Sequence, residues 1–155
     1  MKPVKKILFP TDFSEASHYA LAYAVEMKKI LGAELEIVHI LFDEGNIVAF
    51  YIPQMGMPMQ NLSPDFEDGA RKQFDEFVAN APELKDVEFT TKILRGNPYS
   101  EIIKEAENGN FDMIIIGTHG RTGLEHVLFG STAELVVRKA PCPVLTVRPK
   151  GTQEA

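Results

Sequence analysis

The sequence predicts an α/β fold, a single open, five-stranded parallel sheet with helices on both faces. Short apolar runs alternate along the chain with longer segments in which apolar residues recur every three or four positions. Residues 113–116 form a wholly apolar run, as expected for a strand covered on both faces. The predicted order β-α-β-α-β-α-β-α-β indicates parallel strands joined by right-handed crossovers.

The amino-terminal part of the chain predicts two strands around one long helix. Residues 7–9 are a compact apolar strand that ends at Pro10, and residues 35–40 form the second strand. Residues 14–31 have helical spacing, and Gly32 is expected to cap the carboxyl end of this helix. The stripe expected to face the core comprises Ala16, Tyr19, Ala20, Tyr23, Ala24, Met27, Ile30 and Leu31.

Residues 43–63 have no clear period and contain scattered Met, Pro, Gly and aromatic residues. We interpret this segment as a loop that folds over the end of the sheet as a lid, because long loops in compact domains often close over a site. A flexible partner surface built on Met55, Met57 and Met59 is the alternative, because methionine adapts to varied shapes.

Three more helices and three more strands are expected in the rest of the chain. Ser63 and Pro64 predict a helix start, with Ser at the N-cap and Pro at the first helical position, and Asn97 and Pro98 predict the next. The strands are expected at residues 87–94, 113–116 and 144–147, and the last helix at residues 131–139. The inward-facing residues are Phe66, Ala70, Phe74, Phe77 and Val78 on one helix, and Ile102, Ile103 and Ala106 on the next. The tail after Pro149 is expected to be disordered.

Length and composition favour one globular domain, residues 1–155, with its own core. The net charge of −6 and the pI of about 5.2 disfavour nucleic-acid binding, which draws its affinity from Lys and Arg at phosphates. Cys142 is the single cysteine, so no intrachain disulfide is possible and a reducing compartment is expected. No apolar run approaches the roughly 20 residues of a membrane-spanning helix, which predicts a cytoplasmic protein without a membrane partner.

A glycine-rich segment follows the fourth predicted strand. Gly117 and Gly120 come directly after the strand, and Gly130 precedes the last predicted helix. Glycine lets the backbone approach a ligand closely, and successive N–H groups can form an anion-binding nest. Ser131 and Glu134 have the spacing of a capping box, which predicts a helix start at Ser131. The N-terminus of such a helix favours a phosphate.

Side chains of the same segment supply further donors. Arg121, Ser131 and Thr132 are candidates for contacts with phosphate, and His119 either donates to a phosphate or is solvated. The chain has no Walker motif and no Gly-x-Gly-x-x-Gly after the first strand, so neither a P-loop enzyme nor an ordinary dinucleotide site is predicted. A structural alternative stays open, in which the glycines only shape a tight strand-to-helix connection.

Three segments together resemble one known family. The pattern Gly117-x2-Gly120-x9-Gly130-Ser131 is similar to the Gly-x2-Gly-x9-Gly-Ser/Thr signature of ATP-binding universal stress proteins. Residues 7–14 look like the opening strand and turn of that family, and residues 140–147 look like its last strand. The resemblance spans nearly the whole chain.

The resemblance implies a Rossmann-like, adenine-nucleotide α-hydrolase-like fold, and ATP with Mg²⁺ or Mn²⁺ carried on the phosphates. It also implies a homodimer paired through residues 144–147, and an unpaired edge strand is a physical template for such pairing. The implied ligand contacts are Asp12 near the ribose, Pro10 and Thr11 flanking the adenine, the backbone of Ile40 beside the adenine, and Gly117, Gly120, Gly130, Ser131 and Thr132 at the ribose and phosphates.

Several residues have a structural interpretation beside the functional one. Asp12 is also a candidate N-cap of the first helix, with Glu15 completing a capping box. His39 is interpreted as the end of an apolar strand, and His18 as a surface residue. Cys142 is expected to be a small buried apolar residue and not a redox site. No protein-held metal is predicted, because no ligand set has typical spacing.

The sequence therefore predicts a nucleotide-binding regulatory protein, a dimer tied to the stress response by its family resemblance. No residue is evidently placed to activate water, so no catalytic residue is predicted, and hydrolysis is expected to be slow or dependent on a partner. Two alternatives stay open. One is an ATPase or nucleotide-transferring enzyme, by analogy with related folds, and the other is an interaction module that binds no nucleotide.

Overall fold

The structure is a computed structural model that describes residues 1–42, 63–118 and 130–150, with residues 63–66 described by their backbone alone. The strands are β1 (Lys6–Pro10), β2 (Glu34–Phe42), β3 (Thr90–Gly96), β4 (Met113–Gly117) and β5 (Val144–Val147). The helices are α1 (Glu15–Leu31), α2 (Ser63–Ala79), α3 (Pro98–Asn108) and α4 (Ser131–Lys139), and a short 3-10 helix covers Pro82–Leu84. The predicted lid at residues 43–63 lies, apart from Ser63, outside the described residues, as does the tail from residue 151.

The five strands form one parallel sheet in the order β3-β2-β1-β4-β5. The predicted α/β fold is confirmed. The chain moves from β1 to one edge of the sheet and then crosses back to the other side, so the direction of winding reverses between β1 and β4. In such sheets a crevice opens at the carboxyl ends of the two strands that flank this reversal.

The core lies in two layers, one on each face of the sheet. The first core packs α1 and α2 against alternate strand residues such as Ile7, Phe9 and Ile115. The second core packs α3 and α4 against the intervening residues, such as Leu8 and Ile114. All of these side chains are fully buried, which confirms that the apolar β4 is covered on both faces.

Helix α1 begins and ends at local signals in the sequence. The hydroxyl of Ser14 accepts from the N–H of Ser17 at 3.2 Å, so Ser14 is the N-cap. Asp12 is not the N-cap; its carboxylate accepts from the N–H of Ser14 at 3.0 Å, within the preceding turn. Gly32 caps the carboxyl end with a φ of 63°, as predicted, a conformation that glycine adopts without steric cost.

The buried face of α1 differs from the predicted stripe. The helix buries Ser17, Ala20, Leu21, Ala24 and Val25, whereas Tyr23, Ile30 and Leu31 are exposed. The buried face shares Ala20 and Ala24 with the predicted stripe and adds Leu21 and Val25, so it is rotated about the helix axis relative to the prediction. His18 was expected at the surface, but it is half-buried, with its ring centroid 4.2 Å from that of Phe77.

The third strand begins later than predicted. The sequence suggested residues 87–94, whereas β3 covers Thr90–Gly96. The chain turns before the strand begins. The N–H of Val87 donates to the carbonyl of Leu84 at 3.1 Å, and Asp86 has a φ of 59°. Val87 still packs against the first core, which accounts for the apolar pattern at that position.

The other predicted helices and strands are found close to their expected positions. Helix α3 has Asn97 at its N-cap and Pro98 at its first position, and Ile102 and Ala106 are buried while Ile103 is half-buried. Ala70, Phe74 and Phe77 of α2 are buried and Val78 is half-buried, whereas the side chain of Phe66 lies outside the described residues. Cys142 is half-buried against the second core. Within the described segments, no helix is long and apolar enough to cross a membrane.

Candidate functional site

A cavity of about 260 Å³ lies at the carboxyl ends of β1, β2 and β4. Its walls come from these strand ends and from the first turns of α1, α3 and α4, so it occupies the crevice where the sheet reverses its winding. The described lining residues are Pro10, Thr11, Asp12, Ser17, His39, Ile40, Pro98, Ile102, Ile116, Gly117, Thr118, Gly130, Ser131, Thr132 and Ala133.

The turn between β1 and α1 is fixed by a chain of hydrogen bonds. The N–H of Thr11 donates to the carbonyl of Val38 at 2.8 Å, which extends the pairing of β1 with β2 by one residue. The hydroxyl of Thr11 accepts from the N–H of Phe13 at 3.1 Å. Phe13 has a φ of 66°, an unusual conformation for an aromatic residue. A side-chain hydrogen bond therefore stabilises this turn in addition to the backbone hydrogen bond.

A pair of buried hydroxyl groups lies behind this turn. The Thr11 and Ser17 hydroxyl oxygens are 2.6 Å apart, and the two residues are only 6% and 5% exposed. Both residues also line the cavity. Ser17 reaches this position because it lies one helical turn before Ala20 on the buried face of α1.

His39 closes the side of the cavity formed by β2. Its Nδ1 lies 2.8 Å from the backbone carbonyl oxygen of Thr11. A carbonyl oxygen only accepts, so Nδ1 carries a proton and the tautomer is fixed. The ring also stacks on Phe13, with centroids 4.2 Å apart and planes inclined by 27°. His39 thus joins the end of β2 to the turn after β1, a larger role than the strand-end interpretation gave it.

The N-terminus of α4 faces the cavity without a capping side chain. The N-cap is Gly130, one residue before the predicted Ser131, and among the described residues no side chain caps this helix. The carbonyl of Gly130 accepts the first hydrogen bond of the helix, from the N–H of Glu134 at 3.1 Å. The predicted capping box is therefore wrong, and Glu134 pairs instead with Arg138 at 2.9 Å. The first-turn N–H groups and the positive end of the helix dipole are directed at the cavity.

Thr118 joins the end of β4 to both neighbouring elements. Its N–H donates to the carbonyl of Val147 at 3.0 Å, and its own carbonyl accepts from the N–H of Gly130. The start of α4 is therefore tied directly to the carboxyl end of the sheet. This bond positions the helix N-terminus over the crevice.

Close packing at the cavity favours glycine at position 117. A Cβ atom at this position would lie 3.3 Å from the carbonyl oxygen of Ala16 and 3.7 Å from the Cβ of Ala20. The absence of a side chain lets α1 lie directly against the end of β4. The structural interpretation therefore holds for Gly117 whether or not a ligand is also bound there.

The structure brings most of the sequence-predicted site residues together. Eight of them line the one cavity: Pro10, Thr11, Asp12, Ile40, Gly117, Gly130, Ser131 and Thr132. The other three, His119, Gly120 and Arg121, lie outside the described residues. Among the residues that are described, no group of three or more His, Cys, Asp or Glu side chains could hold a metal ion.

Sequence reasoning missed several residues of the cavity wall. Ser17 is a polar residue at a helix position that repeats with Ala20 and Ala24, and this placement was the available signal. Pro98 and Ile102 belong to the first turns of α3, which follows the carboxyl end of β3 and was not considered as part of the site. The other missed residues are His39, Ile116, Thr118 and Ala133.

Comparison with known proteins assigns the family. The model of the universal stress protein family matches residues 3–148. Universal stress protein MJ0577 of Methanocaldococcus jannaschii is 36% identical over 96% of this chain and 97% of its own length. A putative universal stress protein of Staphylococcus saprophyticus is 31% identical over 99% of this chain and 89% of its own length.

Solved structures have the same fold. The structure of MJ0577 has a TM-score of 0.78 and 33% identity, and the match covers 97% of this chain and 99% of that one. A universal stress protein in complex with cAMP is 20% identical, with a TM-score of 0.61 over 95% and 98% of the two chains. One from Archaeoglobus fulgidus in complex with dAMP is 21% identical, with a TM-score of 0.64 over 94% and 98%. With the family model and the curated relatives covering nearly its full length, this chain belongs to the universal stress protein family.

Proposed function

We propose that the protein binds ATP in this cavity, with the phosphates at the N-terminus of α4. The observation that carries the proposal is the start of α4, which no described side chain caps and which borders a cavity with apolar surface on its walls. Gly130 offers no side chain to the first turn, so the N–H groups there are available to an anion. The hydroxyls of Ser131 and Thr132 lie at the same turn and supply further donors.

The apolar part of the cavity suits a nucleobase. Pro10, Ile40, Pro98, Ile102 and Ile116 contribute apolar surface to the wall. Ligand sites combine such surface with a few polar groups that fix orientation. The backbone of Ile40 lies where β2 extends beyond its pairing with β1, which ends at Val38, and there it can bond the edge of an adenine.

A carboxylate at the same crevice suits the ribose. Asp12 lines the cavity at the turn after β1, and its Oδ1 is held by the N–H of Ser14 at 3.0 Å. Acidic residues at this edge of a parallel sheet bind ribose hydroxyls in other nucleotide folds. The universal stress proteins solved with cAMP and dAMP support an adenine nucleotide as the ligand class. The Gly-x2-Gly-x9-Gly-Ser loop supports the triphosphate.

A divalent ion, Mg²⁺ or Mn²⁺, would be carried on the phosphates. The N–H groups and hydroxyls around α4 can donate to phosphate oxygens, and among the described residues no cluster of His, Cys, Asp or Glu could hold the cation without the nucleotide. The ion would neutralise phosphate charge. The chain itself would hold the nucleotide, orient its phosphates along α4 and shield its base.

The protein would act as a regulatory homodimer in the stress response, paired through β5. Among the described strands β5 lies at the edge of the sheet and pairs with β4 alone. The carbonyls of Pro143 and Val147 accept from β4, so the alternate residues Val144 and Thr146 direct their N–H and carbonyl groups away from the sheet. These groups can pair with a second copy.

Calorimetric titration of MgATP into nucleotide-free protein tests the proposal. The variant Gly130→Val places a branched side chain at the first turn of α4, and the φ of −63° at this residue accepts valine without backbone strain. We expect binding by the wild type and a loss of at least about tenfold for Gly130→Val, since this removes the anion site. Gly69→Ala is the matched control, because its new Cβ meets nothing within 4 Å on α2. No binding by the wild type, or unchanged binding by Gly130→Val, would contradict the proposal.

A further inference from the structure

We infer that Ser17 and Thr11 form a hydrogen-bond donor that contacts an acceptor atom of the bound nucleotide, and that this pair selects among ligands. The inference rests on the proposed nucleotide site and adds a contact to it. Ser17 lies in none of the three segments that carry the family resemblance in the sequence. Ser17 lines the cavity because the buried face of α1 packs against the sheet.

The first step is the burial of the pair inside the cavity wall. Thr11 and Ser17 are more than nine-tenths buried, and both line the cavity. Water reaches these hydroxyls only through the cavity. A ligand that fills the cavity therefore becomes the source of their remaining hydrogen bonds.

The second step is a count of protons. The two hydroxyls carry two protons, and the 2.6 Å contact between them uses one. The oxygen of Thr11 is already an acceptor for the N–H of Phe13. Within the described part of the chain, neither hydroxyl has an acceptor for the second proton. If Thr11 donates to Ser17, the Ser17 proton is left over; if Ser17 donates, the Thr11 proton is left over.

The third step concerns which ligands the pair favours. In both arrangements the pair presents one unused donor, so a ligand with an acceptor at this wall satisfies it. A ligand that presents a donor or an apolar group there leaves a buried proton unpaired, which is costly. Buried polar groups of this kind discriminate strongly between ligands that do and do not pair with them.

The fourth step is rigidity. The first turns of α1 are held against β4, because Gly117 allows a contact in which an added Cβ would lie 3.3 Å from the Ala16 carbonyl. The N-cap bond from Ser17 to Ser14 fixes the same turn from the other side. The hydroxyls therefore have a fixed position relative to the strand ends. A donor in a fixed position forms its hydrogen bond with one particular atom of the ligand.

The acceptor on the nucleotide is either a ring nitrogen of the base or an oxygen of the phosphates. Both are strong acceptors, and both lie within the span of the proposed site. The test therefore compares MgATP with its 1-deaza, 3-deaza and 7-deaza analogues and with ADP, AMP and adenosine. Each candidate acceptor, a ring nitrogen or a phosphate group, is absent from at least one of these ligands.

The variant is the double substitution Thr11→Val/Ser17→Ala, which removes the spare donor whichever hydroxyl carries it, and the measurement is calorimetric affinity. Alanine suits position 17, because its neighbours on the buried face include Ala20 and Ala24. Ser100→Ala is the matched control, a half-buried serine in the first turns of α3 that does not line the cavity. We expect the folded double variant to weaken MgATP binding about fivefold to tenfold, the usual effect of one net hydrogen bond, with Ser100→Ala unchanged. Ser17→Ala alone shows which hydroxyl carries the spare proton, because it weakens binding to the same extent only if that proton is on Ser17.

The analogues identify the acceptor and separate the possible failures. If one ligand binds the wild type and the double variant equally, the group that it lacks is the partner of the pair. If the wild type binds MgATP and the folded double variant binds it equally well, this inference is overturned and the proposed function stands. If the double variant weakens every ligand by the same factor, the pair acts through structure and the inference is also overturned. If the wild type binds no nucleotide, both proposals fall.

Discussion

The structure leaves no free space for a side chain at Gly117 but leaves open space for one at Gly69. An added Cβ at Gly117 lies 3.3 Å from the backbone of α1, whereas one at Gly69 meets nothing within 4 Å. We predict that Gly117→Ala lowers the free energy of unfolding by about 1–3 kcal/mol through overpacking. Gly69→Ala should raise it by about 0.5–1 kcal/mol, because alanine favours a helix interior. Urea unfolding of the nucleotide-free variants measures both, and equal effects would contradict the packing at Gly117.

Glu36 on β2 lies in a cluster of charges away from the cavity. Its Oε1 is buried and is the one buried side-chain oxygen without a partner among the described residues. Burial, followed by the neighbouring Glu105 carboxyl, raises the pKa of Glu36, against the opposing charges of Lys92 and Lys6. Glu105 itself pairs with Lys92 at 2.9 Å. The fold therefore favours the protonated form of Glu36.

This cluster predicts how stability depends on pH. The contribution of Glu36 is fully present below its ordinary pKa of 4.5 and is lost as the pH rises through the raised pKa of the folded state. Glu36→Gln keeps the group neutral, so we expect a small rise in Tm at pH 7 and little change at pH 4. Thermal unfolding followed by circular dichroism measures this. A lower Tm for Glu36→Gln at pH 7 would contradict the assignment.

The residues that the sequence could predict are those whose signals are local. Ser14 and Gly32 cap α1 through side-chain or backbone chemistry within one turn, and Gly32 was predicted from position alone. The N-cap of α4 was assigned one residue too late, to Ser131 and not to Gly130, because Glu134 has the spacing of a capping box but pairs instead with Arg138. The contacts of His39 with the turn after β1 were not predicted, because its partners Thr11 and Phe13 lie far away along the chain.

At the scale of elements, α1 shows what a periodic pattern leaves open. Ala20 and Ala24 belong both to the predicted stripe and to the buried face, which also includes Leu21 and Val25. The sheet selects this face, which brings Ser17 into the cavity wall. The close approach of α1 to β4 depends on Gly117 as well as on Ala16 and Ala20 of the helix.

A pair of variants on α1 tests this assignment of faces. Leu21 is fully buried, and Tyr23 is 42% exposed. We expect Leu21→Ala to cost about 2–5 kcal/mol through lost burial and a residual cavity. Tyr23→Ala should cost less than about 1 kcal/mol, as is usual for a surface substitution. Chemical denaturation compares the two, and a larger loss for Tyr23→Ala would place the wrong face of α1 against the sheet.

At the scale of the whole molecule, the alternation of strands and helices predicted a parallel sheet, and the strand order seen in the structure places the cavity. The crevice between β1 and β4 is where the winding reverses, so the loops after the first and fourth strands were the places to examine. The contribution of α3 was not predicted. Pro98 and Ile102 reach the cavity because β3 pairs with β2 at the far edge and its crossover returns over the sheet.

The proposed dimer makes a separate prediction for the assembled molecule. Thr146 directs its N–H away from β4, so Thr146→Pro removes an outward donor and keeps the bonds to β4. We expect Thr146→Pro to convert the dimer to a monomer in light scattering coupled to size exclusion. Thr146→Val is the control, because it keeps the N–H and should remain dimeric. A dimeric Thr146→Pro, or a monomeric wild type, would contradict pairing through β5.

The central claim is that the start of α4 holds the phosphates of ATP, and a crystal structure of the protein with MgATP tests it most directly. The account predicts phosphate oxygens within hydrogen-bond distance of the N–H groups of Ser131 and Thr132, with the adenine against Ile40. A nucleotide whose phosphates lie away from α4, or a cavity that stays empty while ATP binds elsewhere on the chain, would contradict the account.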